Sequence, residues 1–272
     1  MRISRACGNT REGCEVVLMA VDIGNTQTVL GIFDGEELRA RWRITTEANR
    51  TADEVGAVCS TLLTLAGMSP TDVRATIVSS VVPVLTRSYE GLAESLFGSR
   101  FYEVNGEMKT GLDNRYDDPS AVGADRIVNA VATGKHYGFP AIIVDIGTAT
   151  TVEAVNGESC YLGGAILTGL NVALEALISR TSKLPSVDLN LDPPQAIATN
   201  TPDSIRSGFV YGYAGAIDSL IRRFREELEE PDLMAVATGG PAEVIARHCR
   251  EIGTLDPDLT LKGLYVLHEM NW

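Results

Sequence analysis

A chain of 272 residues, 44% hydrophobic and 22% charged, carries enough apolar material for one large core or two ordinary ones. Its formal net charge of −13 argues against nucleic acid or anionic membrane as a partner, and means that any anionic ligand must be held by local donors. The cysteines, Cys7, Cys14, Cys59, Cys160 and Cys249, are odd in number, widely spaced and free of CxxC, which fits reduced thiols in a cytoplasm better than a disulfide framework.

No apolar run reaches the roughly 18 residues of a membrane span. The opening MRISRACGNTREGCEV has charges and a glycine where a signal peptide needs its apolar region. Residues 1–18 read as a disordered extension, with Met19 as an alternative start. No histidine lies near Cys7 or Cys14, so a metal clip there is disfavoured.

The first apolar run, VVLMAVDI, reads as a strand; the chain turns at Gly24 and resumes with β-formers. Asp34-Gly35 signals a tight hairpin, because such pairs supply positive φ, and ELRARWRI is the third strand. Thr51 with Glu54 forms a capping box for a helix to about Leu65. ATIVSSVV is a buried strand, Pro83 starts a helix to about Leu96, and FYEV is a further strand. A helix spans about 121–136. The opening then recurs: AIIVDI, a turn at Gly147, β-formers, the hairpin signal Asn156-Gly157, and the strand CYLGGAIL. LNVALEALIS has helical spacing, Pro202-Asp203 opens a long helix to about Glu229, LMAVAT is a strand, Gly239-Gly240 a turn, and PAEVIARHCR a helix. This is one α/β plan used twice. The expected units are 19–134 and 135–272.

The repeat is most explicit in VDIGNTQTV, from Val21, and VDIGTATTV, from Val144, which agree at six of nine positions. A strand ending in Asp-x-Gly and followed by hydroxyl residues offers close backbone approach, N–H groups that can nest an anion, and hydroxyl donors at Thr26, Thr28, Thr148, Thr150 and Thr151. Asp22 and Asp145 cannot bind phosphate directly, but each can hold a cation, or water in its shell, that bridges to phosphate. One such turn alone is a common structural device. Two at equivalent places point to a clamp on a polyphosphate. There is no GxxxxGK[ST], no GxGxxG behind a strand, no kinase HRD or DFG set and no Gly-x-Ser-x-Gly elbow.

Two phosphate turns in a duplicated α/β chain resemble the superfamily of actin-like ATPases and sugar and acetate kinases, with its duplicated actin-like (ribonuclease H-like) fold. The segment YDDPSAVGADRIVNAVA, residues 116–132, narrows the resemblance to type III pantothenate kinases. DIGNT, VDIGTATT, GGAI, SKLP, Asn200-Thr201, SGFVYGYAG, TGG and LTLKGL follow in the family's order, from Met19 onward. On physics alone, Asp125-Arg126 reads as an acidic helix N-terminus beside a solvated arginine. The resemblance implies instead that Asp125 is the catalytic base and that Gly123, Ala124, Asp125 and Arg126 touch pantothenate, together with Tyr116 and Thr201. Thr201 also reads as a helix N-cap. The resemblance further implies that Asp22, Ile23, Gly24, Asn25, Thr26, Gln27, Thr28 and Val29 hold ATP, with Thr148 opposite. Mg²⁺ would be held through water at Asp22, and a monovalent cation, K⁺ or NH₄⁺, at Asp145. Gly239-Gly240 is similar to the superfamily's adenosine-side turn. The family's homodimer, with its pocket at the interface, makes the small-residue helix GFVYGYAGAIDSLI a candidate contact.

Leu167-Thr168-Gly169 departs from the family's usual proline at the second of these positions, which removes a rigid φ but no chemical group. The expected reaction is phosphorylation of pantothenate to 4′-phosphopantothenate, the first step towards coenzyme A. The alternatives are a non-catalytic transcription accessory protein of the same family, and a superfamily kinase for another small hydroxyl substrate.

Overall fold

The computed structural model describes residues 17–272. The expected extension therefore lies almost wholly outside the described residues, as do Cys7 and Cys14. Val17 and Leu18, placed with the extension above, are instead the first residues of β1 (Val17–Ile23).

The first sheet contains β1, β2 (Gln27–Asp34), β3 (Glu37–Thr45), β4 (Ala75–Ser80) and β5 (Arg100–Glu103), in the order β3-β2-β1-β4-β5. The second contains β6 (Asp113–Asn114), β7 (Ala141–Ile146), β8 (Ala149–Val155), β9 (Cys160–Thr168), β10 (Met234–Thr238) and β11 (Thr254–Leu255), in the order β11-β10-β7-β8-β9-β6. Without β6 the two orders are the same. In each, the first three strands are antiparallel and the last two run parallel to the first. Parallel neighbours require crossovers, which the helices between them supply.

Helix α1 (Ala52–Leu65) opens on the expected capping box, with Thr51 and Glu54 satisfying each other's backbone N–H groups. Helix α2 (Pro83–Leu92) stops short of Leu96, because the chain passes into one wider π turn over Ala93–Phe97 that closes at left-handed Gly98. Helices α3 (Ala124–His136), α4 (Leu170–Ser179) and α5 (Thr201–Glu227) lie where the spacing placed them. PAEVIARHCR forms only the short α6 (Ala242–Ala246). The closing helix α7 (Leu259–Asn271) was not expected.

The hairpins also differ from the simple expectation. Gly35 takes positive φ in a two-residue loop, but in the second hairpin the positive φ falls on Ser159 and not on Gly157. Asn156 explains the shift. Its side-chain oxygen accepts from the N–H groups of Glu158 and Cys160, which makes a longer turn whose last residue must be left-handed.

Each sheet packs its outer face on its own helices. Val21, Ile23 and Leu30 join Val55, Leu63 and Leu85, while Val144, Ile146 and Val152 join Leu174, Val210 and Ile217. Between the sheets lie α3 and α7. Helix α7 covers the first sheet, with Leu261 and Leu264 beside Leu18, Ala20 and Ile77. Helix α3 lends Ala130 and Ala132 to the second sheet, beside Ile143 and Val236. The two helices cross so closely that a Cβ on Gly263 would stand 2.2 Å from the Val128 carbonyl oxygen. Residue 134 lies in the last turn of α3. Two segments thus cross from one half to the other: β6 extends the second sheet, and α7 covers the first.

Candidate active site

Both repeated turns sit at the carboxyl end of the first strand of their sheet. In the first, the Gly24 N–H donates to the Gln27 carbonyl at 3.0 Å. Thr46, just after β3, holds this turn three ways. Its N–H donates to the Thr26 carbonyl at 2.9 Å, its hydroxyl donates to the Gly24 carbonyl at 2.8 Å, and it shares a 2.8 Å hydrogen bond with the Thr28 hydroxyl. Thr28, expected as a phosphate donor, is therefore buried and already engaged. In the second turn the Gly147 N–H donates to the Ala149 carbonyl at 2.9 Å, and the Gly169 N–H donates to the Thr148 carbonyl at 3.1 Å. A Cβ at Gly169 would stand 2.2 Å and 2.3 Å from the carbonyl oxygens of Thr148 and Gly147, so only glycine fits. Thr150 is buried and Thr151 half-buried.

The turns face each other: the hydroxyls of Thr26 and Thr148, far apart in sequence, are 3.0 Å apart. Among the described residues, the backbone N–H groups of Asn25, Thr26 and Thr148 donate to no other backbone or side-chain group. Three free amides and two hydroxyls at one point make an anion nest. Asn25, Thr26, Gln27 and Thr148 are exposed, Val29 is half-buried, and the Ile23 side chain belongs to the core behind the turn.

Three recessed carboxylates form the floor. Loss of solvation, then the charges of Asp125 and Asp145, push Asp22 up to about 8. Asp145 rises to about 6 through desolvation and the Asp125 charge. Its rise is held down by the Asn129 carboxamide, which donates to Oδ2 at 2.9 Å. The Thr260 hydroxyl of α7 donates to the Asn129 side-chain oxygen at 2.8 Å, which leaves the NH₂ facing Asp145. Asp125 is also raised, chiefly by desolvation, although its Oδ1 accepts from the Arg126 backbone N–H at 2.9 Å. The sequence positions of Asp125 and Asn129 put both on one face of α3.

Arg126 is not the solvated arginine that local sequence suggests. Its Nε and Nη2 donate to the two carboxylate oxygens of Glu153, each at 2.7 Å, and Glu153 is only 1% exposed. The Tyr161 hydroxyl also donates to Glu153. The Tyr116 ring lies 5.4 Å from the guanidinium carbon, so Tyr116 and Arg126 do come together. Gly123 is the N-cap of α3 and Ala124 its first residue. A Cβ at Gly123 would meet Asp125 Oδ1 at 2.5 Å, so this glycine keeps the carboxylate in place.

Thr201 is not brought into this cluster. It is the first residue of α5 and not its cap; Asn200 takes that role by accepting from the Asp203 N–H at 3.0 Å. Thr201 borders an apolar cavity of about 610 Å³ between α4 and α5, with Leu177, Phe209, Gly212 and Tyr213. The Tyr213 hydroxyl donates to the Thr168 carbonyl at 2.9 Å, so the turn that lacks the proline is tied down by α5. A second cavity of about 400 Å³ opens between the sheets beside Gly239 and Gly240, with Trp42 and Arg43.

Asn129, Glu153 and Thr46 were missed in the sequence. Asn129 and Glu153 did carry a signal, each being a polar residue in an apolar run, IVNAVA and TVEAV. Among the described residues no three His, Cys, Asp or Glu side chains cluster as a metal cage. The donors suit an ion that takes one carboxylate and completes its shell with phosphate and water, which is how Mg²⁺ is usually held.

A two-sheet duplicated fold with a hydroxyl-lined nest over three carboxylates defines an actin-like phosphotransferase class. The structure resembles that of a protein described as a Baf family transcriptional activator from Campylobacter jejuni, with a TM-score of 0.55 at 16% identity over 92% of this chain and 97% of that one. It also resembles an archaeal actin homologue, with a TM-score of 0.50 at 13% identity over 93% and 98%. The profile of the family described as type III pantothenate kinase matches residues 18–223. A type III pantothenate kinase from Rubrobacter xylanophilus is 65% identical over 259 residues, 94% of this chain and 98% of the relative. Another, from Geobacter sulfurreducens, is 46% identical over 255 residues, 94% and 99% respectively. The chain belongs to the type III pantothenate kinase family.

Proposed function

We propose that this protein transfers the γ-phosphoryl group of ATP to the primary hydroxyl of pantothenate, giving 4′-phosphopantothenate and ADP. The observation that carries this reading beyond family membership is the 3.0 Å approach of Thr26 to Thr148 above Asp22, Asp125 and Asp145. The hydroxyl oxygen forms a bond to the γ-phosphorus as the bond to the β,γ-bridging oxygen breaks, and the hydroxyl proton passes to the Asp125 carboxylate. A loose transition state needs little early deprotonation, so Asp125 mainly orients the alcohol and takes the proton late. Its raised pKa makes it the stronger acceptor.

The free amides of residues 25, 26 and 148 fix the phosphates, so most of the rate comes from alignment and charge stabilisation. Asp22 would hold Mg²⁺ through water, and Asp145 would hold a monovalent cation. When bound, these ions neutralise phosphate charge that the carboxylates would otherwise repel. The adenosine lies in the cavity beside Gly239-Gly240. Tyr116 and Arg126 contact pantothenate, with Glu153 holding the guanidinium in place. A second copy of the chain seats on the apolar face of α5, where Thr201 borders the cavity. The reduced thiols Cys59, Cys160 and Cys249 suit the cytoplasm, and no helix among the described residues is long and apolar enough to cross a membrane.

The test is ADP release measured with and without pantothenate, in potassium and then sodium buffer. Pantothenate-dependent, potassium-stimulated turnover is expected. Asp125→Asn should lower kcat about 10²–10³-fold, in the range for a positioned acid–base group, with little change in the KM for ATP. A folded protein with no pantothenate-dependent turnover in either buffer overturns the reading.

A further inference from the structure

Strand β3 carries three arginines, of which Arg41 and Arg43 project from one face of the sheet, while a bulge at Arg39 interrupts the alternation. Two are spoken for. Arg39 pairs with Asp34 and Glu37 at the hairpin, and Arg41 pairs with Asp258 at the start of α7. The Arg43 side chain forms no hydrogen bond and no ion pair with any described residue, yet it does not simply point into solvent. Its guanidinium crosses the cleft to the Gly239-Gly240 turn. A Cβ on Gly240 would stand 2.8 Å from Arg43 Nη1 and 3.5 Å from Gln27 Oε1.

Strand register fixes where this cation sits relative to the floor. Asp22 pairs laterally with Val29, and Val29 with Arg43. Arg43 is thus two strands from Asp22 on the same face, about 10 Å away at the usual strand spacing. Its charge is also felt by Asp145, in the other sheet, whose pKa it lowers. The electrostatic need is plain. Three carboxylates line the floor, the nest amides are neutral, and the charge of Arg126 is already matched by Glu153.

We propose that Arg43 is a nucleotide-binding residue, whose guanidinium engages the polyphosphate where it runs from the Gly239-Gly240 turn to the Asp22–Asp145 floor. This assignment rests on the kinase reading above. A planar fork can grip two phosphate oxygens at once, which a lysine cannot do. Because Arg43 belongs to the first sheet and touches a turn of the second, the contact ties the halves together across the nucleotide.

The experiment is a titration of the whole protein with AMP, ADP and ATP, followed by calorimetry, for the wild type, Arg43→Ala, Arg43→Lys and Arg39→Ala. Thermal unfolding of each variant checks the fold. Arg43→Ala should weaken ATP and ADP binding at least tenfold and AMP binding less than threefold. Arg43→Lys should fall between Arg43→Ala and the wild type. Arg39→Ala removes the same charge from a paired arginine and should stay within twofold. ATP binding by Arg43→Ala within twofold of a wild type that binds ATP overturns this assignment alone. Equal weakening of all three nucleotides overturns the polyphosphate contact. A wild type that binds no ATP overturns the kinase reading, and this assignment with it.

Discussion

Four residues, Gly24 to Gln27, separate the paired Ile23 and Thr28 in the first turn, whereas three, Gly147 to Ala149, separate Ile146 and Thr150 in the second. The nonapeptides have identical spacing, so sequence alignment matches Thr28 with Thr151. The sheets match Thr28 with Thr150 instead. Their supports differ in the same way. Thr46 braces the wider first turn with a hydroxyl, while Gly169 braces the tighter second turn by bringing its backbone against Thr148. Asp145 receives a carboxamide hydrogen bond and Asp22 does not, which accords with about 6 against about 8. A duplicated motif has diverged into an open turn rich in donors and a rigid one that anchors its carboxylate.

That contrast can be broken by substitution. Gly169→Ala should have the largest effect, because two carbonyl oxygens occupy the space of its Cβ. Forced overpacking against backbone costs roughly 3 kcal/mol or more, about 8 °C in Tm for a chain of this size. A variant that melts within 2 °C of the wild type would mean that the second turn yields as readily as the first. Thr46→Ala should cost less, about 1–2 kcal/mol or roughly 4 °C, because it removes a hydroxyl contact and leaves the Thr28 hydroxyl buried without it. Thr46→Ser keeps the contact and should melt close to the wild type.

A pH series sharpens the contrast. Both aspartates have folded pKa values above their ordinary value of 3.8, so each favours the folded state while protonated and loses that advantage as pH rises. For Asp145 the loss runs from about pH 4 to about 6, and for Asp22 from about 4 to about 8. In EDTA and without nucleotide, Asp22→Asn should therefore match the wild type near pH 4 and melt above it by a margin that grows until about pH 8. The gap for Asp145→Asn should stop growing near pH 6. Parallel melting curves for the two variants between pH 6 and 8 would remove the electrostatic difference between the turns.

The two Asp-Gly turns, the capping box at Thr51 and the lengths of α1, α4 and α5 were legible because each is written in local residues. What was not legible depended on partners distant in sequence. Arg126 read as a solvated arginine because nothing near it in sequence reveals that Glu153 on β8 will claim it. Arg43 carried no signal of its own within ELRARWRI, and only the packing of the two sheets brings it to Gly240. Thr46 lay outside the quoted repeat, although it does as much for the first turn as any residue within it. Helix α7 escaped for a different reason. Leu259, Leu261, Leu264, Val266 and Leu267 bury it on several sides, so it lacks the single apolar stripe that marks a surface helix, and Gly263 weakens it further. The assignment of Asp125 as the base came through family resemblance. Its local chemistry is equally that of an acidic first turn.

The placement of α7 bears on how the protein is made. The inner face of the first sheet, with Leu18, Ala20 and Ile77, has its cover in residues 259–271, which are synthesised long after the sheet's own strands. Strand β4 is complete at Ser80, so a ribosome adding about 5–20 residues per second leaves that apolar face without its helix for on the order of ten seconds or more. The first half cannot finish folding as an independent unit on the nascent chain. Its completion waits for α7, and loss of residues 259–271 would uncover the first sheet, far from the deletion in sequence.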